Sequence, residues 1–241
     1  MPGIENRVEA TFLRPVLLGE SILPYRIFRS FAAVIPVNEK GEMLDALASA
    51  EIGADGLQGW MRKAEAVWNA NAESGKMTLT GRWNYHSELS TQFPIPSLRV
   101  VYAASGSQPA ACLLRDVRGV VEHMLYWMKP ASVSEARFLI AILNSETARA
   151  RSERYQSRGQ FGARHFDKVM FNLPIPAFDP NETLHVALAE AAAAAEKIAA
   201  LVKITEGMRF QQARGLVRAA LTEAGISPRI DELVAKLLGG A

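Results

Sequence analysis

The 241-residue chain has a single cysteine, Cys112, so no disulfide can form within it, and a reducing cytoplasm is the expected setting. C-x-x-C and H-E-x-x-H spacings are missing, and the four histidines, His86, His123, His165 and His185, stand far apart, which leaves no metal-ligand pattern. Neither the G-x-x-x-x-G-K phosphate loop nor G-x-G-x-x-G occurs, which excludes the commonest nucleotide-binding signatures. Ser105-Gly106-Ser107 lacks the G-x-S-x-G spacing of a nucleophile turn, and Cys112 lies in an apolar run that reads as core. Long hydrophobic runs are also scarce. The longest, Leu184 to Val202, is interrupted by Glu190, Glu196 and Lys197, so no membrane span is expected. Glu5, Arg7 and Glu9 precede any apolar stretch, the wrong order for a secretory signal.

What is present is charge gathered in one place. The net charge is only +2, yet Arg149 to Lys168 holds Arg149, Arg151, Arg154, Arg158, Arg164 and Lys168 against Glu153 and Asp167. That segment is +4 and the remainder is −2. From Glu182 onward seven basic and seven acidic residues cancel, as on a solvated helical surface.

Periodicity supplies the organisation. Short apolar runs from Thr11 to Pro36, broken by Gly19, Pro24 and Pro36, read as strands, and Gly56 to Ala72 carries apolar residues at helical spacing. Leu98 to Ala104, Ala110 to Leu114 and Val120 to Met128 read as three strands of an antiparallel meander. Ser132 and Glu135 form a capping box ahead of a helix that buries Phe138, Leu139, Ile142 and Leu143. If that helix persists, Arg151, Arg154 and Arg158 share a face and lead into Gly159 and Gly162. After Pro174-Ile175-Pro176, Asp179 with Pro180 and Glu182 reads as the start of a long helix. Its seam of Leu184, Leu188, Ala191, Ala195, Ile198, Val202 and Thr205 suits close helix packing. Gly225 ends a further helix and Ser227-Pro228 starts the last. The expected fold class is α+β: a mixed, largely antiparallel sheet region with helices over 1–178, followed by a helical segment over 179–241.

Guanidinium groups make bidentate phosphate contacts, and glycines let main-chain N–H groups approach an anion without a Cβ in the way. The segment from Arg151 to Lys168 supplies both, although a solvated helix end followed by a flexible connection has the same composition.

Arg99 to Pro180 resembles the C-terminal target-recognition region of adenine-N6 DNA methyltransferases of restriction-modification systems, the Eco57I and TaqI-like group. The resemblance rests on R-V-V-Y-A-A-S-G (99–106), V-E-H-M-L-Y-W (121–127), E-A-R-F-L-I-A-I-L-N-S (135–145), S-R-G-Q-F-G-A-R-H-F-D-K (157–168), L-P-I-P (173–176) and F-D-P (178–180). Arg14-Pro15-Val16 with Gly19-Glu20 looks like the entry to the same region. Type I specificity subunits carry a similar order of helix, glycine-bearing loop, strand and Pro-x-Pro before a long helix. The resemblance implies a domain that reads double-stranded DNA, with phosphate contacts from Arg151, Arg154, Arg158, Arg164 and Lys168 and close approach at Gly159 and Gly162. Gln160 and His165, and Ser105, Ser107 and Gln108 in a sheet turn, have donors and acceptors suited to base edges. Trp83, Asn84 and Tyr85 are further interface candidates.

The chain departs from that family in its catalytic parts. None of its twelve prolines is adjacent to another, so the methyltransferase tetrapeptide, a polar residue followed by Pro-Pro and an aromatic, is absent. The glycine-rich S-adenosylmethionine loop is missing too. The expectation is a recognition module without a catalytic site or cofactor of its own, serving a separate methyltransferase domain or subunit that holds S-adenosylmethionine. An alternative is a helical docking module that uses the Leu184 to Thr205 seam to oligomerise or bind a partner protein. An enzyme of unrecognised type is the third.

Overall fold

In the computed structural model, residues 3–72, 77–103, 108–153, 155, 170 and 172–239 are described. Their strands are β1 (Leu13–Leu17), β2 (Ile22–Leu23), β3 (Arg26–Ile27), β4 (Phe31–Val34), β5 (Arg99–Ala103), β6 (Ala111–Leu114), β7 (Val120–Val121) and β8 (Leu125–Met128). Their helices are α1 (Ala46–Glu51), α2 (Asp55–Asn71), α3 (Leu79–Trp83), α4 (Val133–Asn144), α5 (Glu146–Glu153), α6 (Thr183–Leu201), α7 (Phe210–Glu223) and α8 (Ile226–Leu237). The fold is α+β, with small antiparallel or mixed sheets and C-terminal helices. No helix among the described residues is long and apolar enough to cross a membrane.

Contacts divide the chain into two units, each made of several segments of the sequence. The first comprises 1–16, 31–96 and 117–122, and the second 17–30, 97–116 and 123–241. The C-terminal helices belong to the second unit because their apolar faces close on α4 and its sheet.

In the first unit the sheet order is β4-β1-β7, with β1 antiparallel to β4 in the register Leu13↔Val34 to Val16↔Phe31. Asp45 caps α1 by accepting from the Ala48 N–H at 2.8 Å. Helix α2 buries Leu57, Met61 and Ala64 against Phe12, Leu44 and Leu79, matching the 3.6-residue period of its apolar positions. Its first turn receives the Glu9 carboxylate, to which the Gly56 and Leu57 N–H groups donate at 2.8 and 2.9 Å. Gly56 is required there, since a Cβ would lie 2.7 Å from the Arg7 carbonyl.

In the second unit the sheet order is β6-β5-β8, both pairs antiparallel, with Val101 opposite Cys112 on one side and Trp127 on the other. This is not a meander. The run expected as one strand from Val120 to Met128 splits: β7 belongs to the first unit's sheet, while β8 pairs with the free edge of β5. Hydrophobicity is nearly continuous across the run, so the Glu122-His123 break carries little signal beside it.

Helix α4 starts as expected, the Ser132 hydroxyl accepting from the Glu135 N–H at 3.0 Å while the Glu135 carboxylate accepts the Ala131 N–H. It buries Phe138, Ile140 and Ile142, each side chain contributing about 1.5–3 kcal/mol of apolar burial. It does not run on into the arginines. Ser145 adopts an extended ψ of 144°, and its hydroxyl caps the next helix by accepting from the Ala148 N–H at 3.0 Å, so α5 is a separate helix.

Helix α6 packs on α4 and α8, with Leu188, Ala191, Ala195 and Ala199 fully or almost fully buried and Arg137 of α4 paired to Glu196 at 2.8 Å. Small residues let these backbones approach. Its ends differ from those expected. Asp179 spends its carboxylate on the Asn181 N–H in a turn, Glu182 becomes the N-cap, and the helix stops at Leu201 instead of reaching Thr205. Arg26 closes the far end by donating to the Ala199 and Val202 carbonyls at 3.0 and 2.8 Å. His185 is a core residue. It accepts from the Asp179 N–H at 3.0 Å with its ring centroid 4.7 Å from Phe138 and 6.1 Å from Phe178.

Candidate nucleic-acid interface

Most of the residues expected at phosphates fall outside the described part of the chain: Arg154, Arg158, Gly159, Gly162, Arg164 and Lys168, together with the base-reading candidates Gln160 and His165. Ser105 and Ser107 lie outside it as well. The flanks of the basic segment are described, and both are anchored: Ser152 on α5 and Met170 beyond it are completely buried.

Two arginines at the near flank have intramolecular tasks. Arg149 is held between Glu146, which accepts from its Nε at 2.8 Å, and Glu153 at 3.7 Å. The hydrogen bond to Glu146 raises the Arg149 pKa. Arg151, a phosphate candidate, donates to the Leu238 and Gly239 carbonyls at 2.6 and 2.9 Å, where α8 ends. Those carbonyls have no partner within the helix and carry the negative end of its dipole, so a guanidinium satisfies both demands.

The same use of arginine recurs throughout the second unit. Arg214 donates to the Ile22 and Gly19 carbonyls at 3.0 and 2.9 Å, Arg218 to the Pro109 carbonyl, and Arg99 to the Asp116 carbonyl at 3.0 Å. Burial lowers the pKa of Arg99 and of Arg214 to about 10 each. In the first unit Arg118 donates to the Ala10 and Leu13 carbonyls at 3.1 and 2.6 Å. Arginine count is thus a poor guide to available surface charge here. The sequence does carry a signal for one of them. Arg214 sits on the stripe shared by Ala213, Val217 and Leu221, the buried face of α7, where a cation has to find acceptors inside.

Gln108, the described member of the sheet-turn set, is exposed and stands beside a polar cavity of the second unit. Trp83 and Tyr85 are 36% and 47% exposed in the first unit, so neither is a core aromatic. Trp83 lies 5.9 Å from the Trp60 ring, and the Arg82 guanidinium lies 5.9 Å over Tyr85. Asn84 is engaged locally, accepting from the Ser90 N–H at 2.9 Å. His86 and Ser87 follow with φ of 53° and 62°, two consecutive non-glycine residues in the left-handed region, which turns the chain sharply below Tyr85. An exposed aromatic pair beside an arginine can stack on bases or lie against a sugar-phosphate backbone.

Among the described residues no cluster of His, Cys, Asp and Glu side chains converges as a metal site. No protein-family model and no curated protein matches this chain.

Proposed function

We propose that the chain is a sequence-specific duplex-DNA recognition module that positions an adenine-N6 methyltransferase carried on another domain or subunit. The observation that carries this reading is the ordered set of sequence runs from Arg99 to Pro180 that ends in a segment of concentrated positive charge. Two further features support it. Ser152 and Met170, which precede and follow Arg154 to Lys168 in the sequence, are both completely buried in the second unit. In the first unit, Trp83, Tyr85 and Arg82 form a solvent-facing group suited to nucleic acid. The docking-module alternative needs the small-residue face of α6, and that face is covered by α4 and α8.

Selection from a random duplex pool, followed by titration at several salt concentrations, tests the proposal. Enrichment of one sequence is expected, with Arg158→Ala and Arg164→Ala each lowering the slope of log K against log salt by about one. Substitution of Gln160 or His165 should relax preference at one base pair by about 1–3 kcal/mol with little change in slope. The chain alone should show no calorimetric S-adenosylmethionine binding. No enrichment, together with unchanged slopes in both arginine variants, would overturn the reading.

A further inference from the structure

The polar cavity beside Gln108 has a volume of about 200 Å³ and is built wholly from the second unit. Its deep side is formed by Tyr25, Asn144 and Ser145, all buried, and its open side by Gln108, Glu146 and Thr222, all exposed. Arg218 from α7 and Asp231 from α8 line it between these levels.

Backbone geometry directs a phenol into this space. Pro24 and Tyr25 are the two residues between the paired ends Leu23 and Arg26 of the β2–β3 hairpin. Tyr25 has a φ of 61°. Glycine or asparagine is the usual occupant of such a position, and a bulky side chain there is strained. The strain is accompanied by placement: Tyr25 is only 8% exposed, and burial, followed by the nearby Asp231, raises its pKa, which keeps it a neutral hydrogen-bonding group.

The charges of the cavity are only partly satisfied by the protein. Arg218 makes one hydrogen bond among the described residues, to the Pro109 carbonyl, and no carboxylate among them stands within ion-pair distance of it. A partly buried guanidinium in a low-dielectric recess is stabilised by an anion. Asp231 uses Oδ1 to accept from the Thr147 N–H at 2.9 Å, and its Oδ2 has no hydrogen bond among the described residues. Glu146 is already paired with Arg149. One cation and one anion with unused capacity therefore share a polar recess too small for a drug-sized molecule.

We propose that this cavity binds a small zwitterion of the α-amino acid class, its carboxylate held by Arg218 and the Tyr25 hydroxyl and its ammonium by Asp231. The proposal is independent of DNA recognition, and either can fail without the other.

Ligand-observed saturation-transfer NMR on the full chain with each proteinogenic α-amino acid, and with acetate and methylammonium as single-charge probes, tests it. At least one amino acid should show transfer and bind more tightly than either probe. Arg218→Gln and Asp231→Asn should each weaken that binding by about tenfold or more, as for loss of a charge-assisted hydrogen bond. Glu232→Gln, on the exposed side of α8, should leave it unchanged. Asp231→Asn keeps an oxygen for the Thr147 N–H, and an unchanged melting temperature certifies that this variant is folded. Absence of transfer from every amino acid, affinities equal to that of acetate, or insensitivity to Asp231→Asn would each overturn the proposal.

Discussion

Asn144 on α4 brackets Ala111 on β6: the Asn144 Oδ1 accepts the Ala111 N–H at 2.9 Å, and its Nδ2 donates to the Ala111 carbonyl at 2.9 Å. One side-chain amide thus takes the place of a neighbouring strand. Gln92 does the same for Val121 in the first unit, at 2.8 and 2.7 Å. Replacing Asn144 by Leu leaves the buried Ala111 N–H without an acceptor and should lower unfolding stability by about 2–4 kcal/mol. Urea denaturation measures this, and a change below about 0.5 kcal/mol would show that water replaces the amide.

Arg151 and Arg158 should behave as opposites. Arg151→Ala removes the guanidinium that closes the end of α8, so it should lower stability by about 1–2 kcal/mol while leaving the salt slope of duplex binding unaltered. Arg158→Ala should alter the slope and leave the melting temperature alone. Thermal melts and salt titrations on the two variants give the comparison.

Ala195 is completely buried in α6. Ala195→Leu should overpack that helix and lower stability by roughly 1–3 kcal/mol. Ala200→Leu, on an exposed position of the same helix, should change it by less than about 0.5 kcal/mol. Parallel denaturation of the two variants separates overpacking from any general effect of leucine.

Cys112 is completely buried on β6, and burial raises its thiol pKa from 9.0 to about 12. The folded chain consequently holds this proton more tightly than the unfolded chain does. Its linked contribution to stability is complete below pH 9.0 and is lost as pH rises towards about 12. Native protein at pH 8 should react with a thiol reagent only as fast as it opens, whereas urea-unfolded protein should react at the rate of a free thiol. Relative to Cys112→Ala, the chain should lose stability over the upper part of that pH range.

Features that depend only on neighbours along the chain were legible in the sequence. The α2 stripe of Leu57, Met61 and Ala64, the Ser132 cap, the α+β class and the buried seam around Leu188, Ala191 and Ala195 follow from local periodicity and capping chemistry. Tertiary structure decided what depends on partners distant in sequence. Whether Arg151 meets solvent or the end of α8 is set by a residue 87 positions away, and the break at Ser145 becomes legible only once its hydroxyl is seen to cap α5. The splitting of Val120 to Met128 between two sheets is of the same kind, because hydrophobicity marks a segment as strand but does not choose its neighbour. The polar cavity was least visible of all. Tyr25, Arg218 and Asp231 belong to three separate elements, and an arginine or an aspartate in an amphipathic helix reads as surface until the opposing walls are brought together.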